Sequence, residues 1–456
     1  MTTTNPSVLR RIGSIFFLFI TWPVRRWRVV AIILICLVVV YTVVDQMLLR
    51  QLAAQREQIR AAGGAVEFAD LHLPKLKPEE NAAIPYRHAA ALLASIHASR
   101  NAEKAVERLN TVAPCTCGDD SGQEQAGAAF TEQDWKEIGE HVAASQAALE
   151  MVKEGCALKG CQFSNIESPE ALVADPGAFL PDLTLVRSLA RESATRAMWE
   201  SHNGNVEGAL QWVTLGLHLS NGLESEPFMI AGLVRVACAG HALNALQAVL
   251  CEHDAASAWL EQLARELTHV ADRRLIAMTF QGERCYSAAS YTNMSLHGGP
   301  GRPFMTLNQI KMNEFSGWIV DAALQNDIQQ RNAAYKTIEV DAARMSRLYA
   351  LAKLLAPALL RATDAFEYNI AQTNLAEIAV ALKRYKKEAG SYPEELSLLV
   401  PKHIKELPLD TFSGIPYPYK QVGQGFKIYS VGRNQVDDGG VRKDRTHGDI
   451  VWCAKN

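Results

Sequence analysis

The sequence lacks the residue patterns that mark the common classes of enzyme and of nucleic-acid-binding protein. Its formal net charge is −3, so no excess of basic residues favours binding to a polyanion. It contains no H-E-x-x-H or G-x-S-x-G motif, no Walker loop, and no G-x-G-x-x-G that follows a strand. These absences favour a protein that is not an enzyme, uses no organic cofactor and binds no nucleic acid.

Runs of β-branched residues are also scarce after the N-terminal region, and aromatic residues make up only 7% of the chain. Alanine and leucine are abundant instead, a composition typical of helical proteins. From Arg50 to about Thr363 the apolar residues recur with a helical period. One predicted helix extends from Thr131 to Val152, and Thr131 with Asp134 resembles a capping box. The sequence therefore predicts a mainly α fold of two or three domains.

One long apolar run lies near the start of the chain. Residues 29–44 read VVAIILICLVVVYTVV and carry no charge. Such a run favours insertion into a bilayer, and the apolar residues just after Asp45 extend it toward the length of a full span. We therefore predict a transmembrane anchor over residues 29–49. A buried core helix and a cleaved signal peptide are the alternatives, but the run has no polar face and no small-x-small cleavage site follows it.

Basic residues before the run predict the orientation of this anchor. Five arginines precede it, at positions 10, 11, 25, 26 and 28, and basic flanks remain on the cytoplasmic side. Residues 1–28 are thus predicted to be a cytoplasmic tail, with a weaker apolar segment at 12–24 lying on the membrane surface. A two-span hairpin is the rival, although it would move three of these arginines outside. We expect a single-pass protein of the cell inner membrane, with the bulk of its chain periplasmic.

Eight of the nine cysteines follow the apolar run, and an even number in a periplasmic domain suits disulfide bonds. Cys115 and Cys117 lie in one predicted loop, and Cys156 and Cys161 lie in another. We expect disulfides between these two loops, while a zinc site with a poorer match in spacing is the alternative. Cys251 falls in an apolar helix, where a free thiol packs as a core residue.

The predicted exoplasmic domain, residues 50–363, contains a clear α-helical hairpin over residues 183–223. Its turn is formed by residues 202–205, in which Gly204 supplies the left-handed conformation. The pattern around this turn resembles one unit of a tetratricopeptide repeat, although no repeat of fixed period follows. The pattern therefore predicts paired helices and does not identify a ligand.

A different pattern occupies the C-terminal module, residues 364–456. A helix with A-L-K-R-Y and G-S-Y-P, over residues 375–393, is followed by L-P-L-D-T-F-S-G-I-P-Y-P-Y at 407–419 and by F-K-I-Y-S-V-G-R-N at 426–434. In order and spacing these segments resemble the globular domain of the major pseudopilins of type II secretion systems. Thr411 stands where the family pattern has proline. The resemblance implies a small α+β module with an antiparallel sheet.

The residues of this module predict the same arrangement by themselves. One face of its helix is apolar, and Gly390 is placed to end it. Residues 415–419 and 426–430 read as two short strands, joined by a hairpin loop at 422–425. The helix therefore has a small antiparallel sheet on which to pack.

An acidic, glycine-rich loop follows the second predicted strand. In the pseudopilin family the equivalent loop binds calcium through aspartates and main-chain carbonyls, and the resemblance implies Asn434, Asp437, Asp438 and Asp449 as the metal ligands. Calcium prefers such oxygens, so we expect calcium as the cofactor of this loop. The alternative is a solvated acidic turn in which aspartate and glycine serve the backbone conformation.

These features predict a membrane-anchored envelope protein that acts as a binding or scaffolding component. The lipid bilayer and a protein are its expected partners, and the C-terminal resemblance implies a link to a secretion or pilus-like assembly. The alternative is an envelope hydrolase with its site in the helical domain. A deep pocket with converging carboxylates or histidines would favour the hydrolase, whereas exposed apolar surface would favour binding.

Overall fold

The computed structural model describes residues 27–73, 76–96, 100–111, 130–163, 180–296, 299–442 and 448–455. Residues 1–26 of the predicted tail, including the segment at 12–24, and the loop with Cys115 and Cys117 lie outside these ranges. Within them the chain forms thirteen α-helices and a three-stranded sheet. The fold is therefore mainly helical, with a small antiparallel sheet near the C-terminus, as the sequence predicts.

The elements are numbered here in chain order. The helices are α1 Trp27–Ala61, α2 Ala83–Ala94, α3 Arg100–Thr111, α4 Glu132–Ala144, α5 Gln146–Cys156, α6 Leu180–His202, α7 Val206–Gly222, α8 Met229–Glu252, α9 Ser257–Val270, α10 Arg273–Leu296, α11 Arg302–Ala323, α12 Ile328–Arg344 and α13 Ala350–Ala389. The strands are β1 Tyr419–Val422, β2 Gly425–Ser430 and β3 Ile450–Ala454.

Helix α1 carries the apolar run without interruption. Its apolar side chains between Val29 and Val44 are mostly exposed, and the helix is long and apolar enough to cross a membrane. Helix α8 meets the same criteria of length and composition, but half of its apolar window is buried inside the protein. Helix α8 is therefore a core helix, whereas the apolar surface of α1 has no protein cover.

The second half of α1 packs on α11. Asp45, which is only 1% exposed, accepts a hydrogen bond from Arg302 Nε at 2.9 Å. Farther along both helices, Gln55 Nε2 donates to the Ile310 carbonyl at 3.0 Å, and Asn313 Nδ2 donates to Gln55 Oε1 at 3.1 Å. Because the contacts advance in the same direction, α1 and α11 run parallel. The start of α11 therefore lies beside the end of the apolar run.

Helices α10 to α13 form an up-and-down array next to α1. Gln309 Nε2 of α11 donates to the Ala288 carbonyl of α10 at 3.4 Å, as expected for two antiparallel helices joined by a short turn. Helix α12 packs back against α11, and α13 packs against both. Phe280, Phe315 and Phe366 from α10, α11 and α13 meet in their shared core.

Helices α6 and α7 pack as the predicted hairpin. Gly204 in the turn has a φ of 78°, a conformation that glycine adopts without steric cost. The next residue, Asn205, accepts a hydrogen bond on its side chain from the N–H of Gly208 at 3.1 Å and so caps α7. The turn therefore forms for the reasons that its sequence indicates.

The predicted capping box at the start of α4 is also present. Thr131 Oγ1 accepts from the N–H of Asp134 at 3.1 Å, and the Asp134 carboxylate accepts from the N–H of Thr131 at 2.8 Å. The helix does not continue to Val152 as predicted, because Ser145 separates α4 from α5 and donates its hydroxyl to the Val142 carbonyl at 3.1 Å.

Helix α13 spans the boundary predicted between residues 363 and 364. Its first half packs in the core shared with α10 and α11, and its second half packs in the core shared with α8, α9 and the sheet. Gly390 ends the helix in the left-handed conformation, with a φ of 83°. The helical part and the C-terminal module are therefore built on one common helix.

The sheet has the order β1-β2-β3, and both pairs are antiparallel. Strand β1 begins at Tyr419, later than predicted, and a tight turn at Gly423 and Gln424 connects it to β2. Strand β3 was not predicted, although its sequence, Ile450-Val-Trp-Cys-Ala, is a short apolar run bounded by Asp449. All five β3 residues are buried because the strand packs on α8 and α13.

A disulfide ties this sheet to the helical part. Cys251 near the end of α8 and Cys453 on β3 are disulfide-bonded, and the two form an isolated buried pair. The N–H of Lys455 also donates to the Cys251 carbonyl at 3.0 Å. The prediction that Cys251 is a free core thiol is therefore wrong.

Cys156 and Cys161 are free thiols, so the predicted disulfides from Cys115 and Cys117 to these two residues are wrong. Cys156 Sγ lies 3.4 Å from the Tyr86 hydroxyl, and burial raises the pKa of Cys156 to about 11. Burial raises the pKa of Cys161 well above its ordinary value too. Both side chains are therefore protonated at neutral pH and pack as core residues.

The Cys251–Cys453 bond should contribute to the stability of the whole chain. In the double variant Cys251→Ser, Cys453→Ser we expect the free energy of unfolding to fall by about 2–4 kcal/mol, because the bond restricts the unfolded chain. Chemical denaturation of the full chain in detergent measures this loss. Reductant should lower the free energy of unfolding of the wild type to that of the variant, and it should not change the value for the variant. A wild type insensitive to reductant would contradict the assignment.

Candidate functional site

Asp449, the last of the predicted calcium ligands, is buried at the base of the acidic loop. Its carboxylate accepts main-chain N–H bonds from Gly440 at 2.6 Å and from Asp438 at 3.4 Å. Its own N–H donates to the Val441 carbonyl at 2.9 Å. Burial raises the pKa of Asp449, and the bonds from the main chain offset part of that effect. Asp449 therefore closes the loop by binding its backbone.

Asn434 and Asp437 also turn their side chains toward the main chain of this loop. Asn434 Oδ1 accepts from the N–H of Val436 at 3.4 Å, and Asp437 Oδ1 accepts from the N–H of Gly439 at 2.9 Å. Among the described residues, which leave out 443–447 of this loop, no three acidic, histidine or cysteine side chains form a group that could hold a metal ion. The described side chains of Asn434, Asp437 and Asp449 therefore organise the backbone of the loop, and calcium binding stays a prediction.

A buried ionic network joins the helical part to the C-terminal module. Glu367 of α13 accepts two hydrogen bonds from the Arg273 guanidinium of α10, at 2.7 and 2.6 Å. Arg331 of α12 lies 3.6 Å from the same carboxylate. The Thr411 hydroxyl, from the turn that precedes the sheet, donates to Glu367 and accepts from Arg273 Nη2 at 2.8 Å. Three helices and the module therefore meet at one carboxylate.

The opposite charges of this network offset the free-energy cost of burying the Glu367 carboxylate away from water. Burial acts to raise the pKa of Glu367, but Arg273, Arg331 and Thr411 together outweigh it, so that pKa is lowered. Burial lowers the pKa of Arg331, whereas Glu367 overcomes the burial of Arg273 and raises the pKa of that guanidinium. Glu367 is therefore an ionised buried carboxylate whose removal would leave two arginines without their partner.

The turn that carries Thr411 is fixed in place by Asp410. Asp410 Oδ1 accepts from the Ser430 hydroxyl at 2.8 Å, and Oδ2 accepts from the N–H of Val431 at 3.0 Å, so the turn is attached to the end of β2. From the helical side, Asn332 Nδ2 of α12 donates to the Thr411 carbonyl at 3.1 Å. The aspartate of the L-P-x-D pattern therefore shapes the turn that presents Thr411 to the network.

Two open cavities lie on the surface formed by the described residues. One of 570 Å³ lies at the α11–α12 turn, where the Asp327 carboxylate accepts from the N–H of Gln330 at 2.8 Å and caps α12. Another, of 370 Å³, lies at the end of the apolar run beside Val44 and Met47. Two carboxylates, Asp321 and Asp327, line the first cavity, but it is open and Asp327 is engaged in the helix cap. The lining of the second cavity contains no carboxylate or histidine, so neither cavity is the deep pocket that would favour the hydrolase alternative.

Comparison with known proteins adds no family assignment, since no protein-family model, curated protein or solved structure gives a significant match to this chain. The similarity to pseudopilins therefore rests on the residues of the three C-terminal segments. Any assignment of function rests on those residues and on the geometry of the structure.

Sequence reasoning did not identify the network around Glu367. The partners come from helices far apart in the chain, and each of Arg273, Arg331 and Glu367 reads by itself as a solvated charge on a helix. The available signal was Thr411, which adds a hydroxyl where the pseudopilin pattern has proline. A hydroxyl that becomes buried needs a hydrogen-bond partner, and the structure supplies three, in Glu367, Arg273 and Arg331.

The hydroxyl of Thr411 can be tested with a matched pair of variants. Thr411→Val keeps the shape of the side chain but removes the hydroxyl, and it should lower the free energy of unfolding by about 1–3 kcal/mol because buried charged groups lose a partner. Thr411→Ser keeps the hydroxyl and should lower the free energy of unfolding clearly less than Thr411→Val does. Urea denaturation followed by circular dichroism compares the two, and equal losses would show that the hydroxyl does not contribute.

The role of Asp449 can be separated from calcium binding in one experiment. Asp449→Asn should lower the melting temperature of the full chain even in EDTA, because the carboxylate holds two N–H groups of the loop without a metal. Melting curves in EDTA and in millimolar calcium also test the calcium prediction. A rise in the melting temperature with calcium that occurs in the wild type and not in the variant would establish calcium binding. A variant with the melting temperature of the wild type in EDTA would refute the role of Asp449 in holding the backbone.

Proposed function

We propose that this chain is a single-pass protein of the cell inner membrane, with a cytoplasmic N-terminus and a periplasmic bulk, and that it acts there as a binding or scaffolding component. The exposed apolar surface of α1, joined without a break to a folded domain, is the observation that carries this proposal. Apolar surface of that extent is unfavourable in water and favourable in lipid.

Two observations support the orientation. Arg25, Arg26 and Arg28 flank the apolar run on its N-terminal side, where basic residues favour the cytoplasm. The Cys251–Cys453 disulfide lies on the other side of the run, and such bonds persist in oxidising compartments such as the periplasm. Both observations favour a folded domain outside the cytoplasm.

The C-terminal module supports a binding role. Leu409 and Ile415 are both about half exposed, and they lie on adjacent segments, because the N–H of Asp410 donates to the Ile415 carbonyl at 2.9 Å. Exposed apolar neighbours on a rigid turn offer a contact for a protein partner. The network at Glu367 and the disulfide hold this module firmly on the helical part, as a scaffold requires.

The resemblance of the module to pseudopilins suggests which process the protein serves. A long helix followed by an antiparallel sheet, the arrangement of residues 350–456, agrees with that resemblance. We therefore propose a link to a secretion or pilus-like assembly, with the module as the part that contacts it.

Reporter fusions at the C-terminus test the proposed orientation. Alkaline phosphatase fused to the full chain should be active and green fluorescent protein should be dark, because the first requires the periplasm and the second the cytoplasm. Replacing Arg25, Arg26 and Arg28 by glutamate should reduce the phosphatase activity, since the positive flank sets the orientation. A fluorescent fusion with inactive phosphatase would contradict the proposal.

A further inference from the structure

The directions of the helices bring one end of the helical array to the level at which α1 would leave the membrane. Arg302, the first residue of α11, pairs with Asp45 directly after the apolar run. The Tyr41 hydroxyl, within the run, donates to the Gly299 carbonyl at 3.2 Å. The turn between α10 and α11 therefore lies at the height of the last residues of the apolar run.

The corner between α12 and α13 lies at the same end. Asn308 of α11 donates its side-chain amide to the Leu348 carbonyl at 3.2 Å and accepts the N–H of Leu351 at 3.0 Å. Asn308 is six residues after Arg302, a rise of about 9 Å along the helix. The corner is thus within about two helical turns of the level at which α1 emerges.

Five exposed apolar side chains lie on or next to these two corners. We call them the membrane-proximal rim, formed by Met294, Phe304, Leu348, Leu354 and Leu355. Leu348 and Leu354 are 64% and 73% exposed, high values for leucine in a folded domain. Because the rim adjoins the exposed apolar surface of α1, the lipid proposed to surround this helix can also contact the rim.

The corner between α12 and α13 is mainly basic, and one exposed acidic residue, Asp341, lies just before it on α12. The segment from Ala342 to Thr363 contains no acidic residue, and Arg344, Arg347 and Lys353 in it are exposed. Lys353 Nζ also donates to the Met345 carbonyl at 2.9 Å. Exposed leucines interspersed with basic residues are the pattern of protein surfaces that rest on anionic lipid.

We propose that the membrane-proximal rim rests on the periplasmic leaflet of the inner membrane, with Leu348 and Leu354 inserted among the lipid headgroups and Arg344 and Arg347 facing anionic phosphates. This inference rests on the proposed membrane placement of α1 and goes beyond it, since an anchor helix does not by itself require the folded domain to contact lipid. The rim and α1 together hold the domain against the surface at two places.

Photocrosslinking of the full-length chain in phosphatidylglycerol-containing liposomes tests the rim. A benzoylphenylalanine that replaces Leu348 should form lipid adducts several-fold more often than one that replaces Leu324. Leu324 is a matched control, because it is 47% exposed and lies at the opposite end of α11. Mass spectrometry of the irradiated protein measures the adducts, and equal yields at the two positions would overturn the rim.

The charge contribution is tested with Arg344→Gln and Arg347→Gln together. This pair should reduce lipid adducts at position 348 in phosphatidylglycerol liposomes and leave the yield in phosphatidylcholine liposomes unchanged. Flotation of the liposomes separates the two proposals. A chain that does not float with lipid refutes the membrane anchor, whereas a chain that floats but crosslinks at position 348 to another protein copy, and not to lipid, refutes the rim alone.

Discussion

The carboxylate of Glu367 is buried away from water. The groups that neutralise its charge come from both the helical part and the C-terminal module, so the two parts meet at this residue. The cost of burying such an ion is several kcal/mol, and it is recovered only when the hydrogen bonds and opposite charges around the ion are all in place. Here they come from α10, α12 and the Thr411 turn, so the displacement of any one of these elements removes a partner of the buried carboxylate. The network thus makes the helical part and the module interdependent, and α13 gives both a common core.

Much of the local structure follows from the sequence because it depends on neighbouring residues. The apolar run of α1, the turn at Gly204, the capping box at Thr131 and the helix end at Gly390 are each determined by a few adjacent side chains. The antiparallel hairpin of the module follows from the same kind of signal. Strand β3 was missed because a short apolar run at the end of a chain fits either a strand or a buried helix segment.

The remaining features depend on which distant residues meet, and no local pattern encodes that. Cys251 reads as a core thiol until β3 places Cys453 against it. Asp45 reads as the polar end of a membrane span until Arg302 covers it. In the described part of the acidic loop, Asn434, Asp437 and Asp449 accept hydrogen bonds from the main chain, and the calcium site stays a prediction. The position of the loop therefore follows from the sequence, whereas the network at Glu367 does not.

Helix α1 contains neither glycine nor proline between Trp27 and Ala61, and its second half is packed on α11. The connection between the apolar run and the domain is therefore a stiff rod and not a flexible tether. In the proposed membrane placement, a lateral force on the domain is not absorbed by a hinge at the surface, and it tilts or rotates the segment within the bilayer instead.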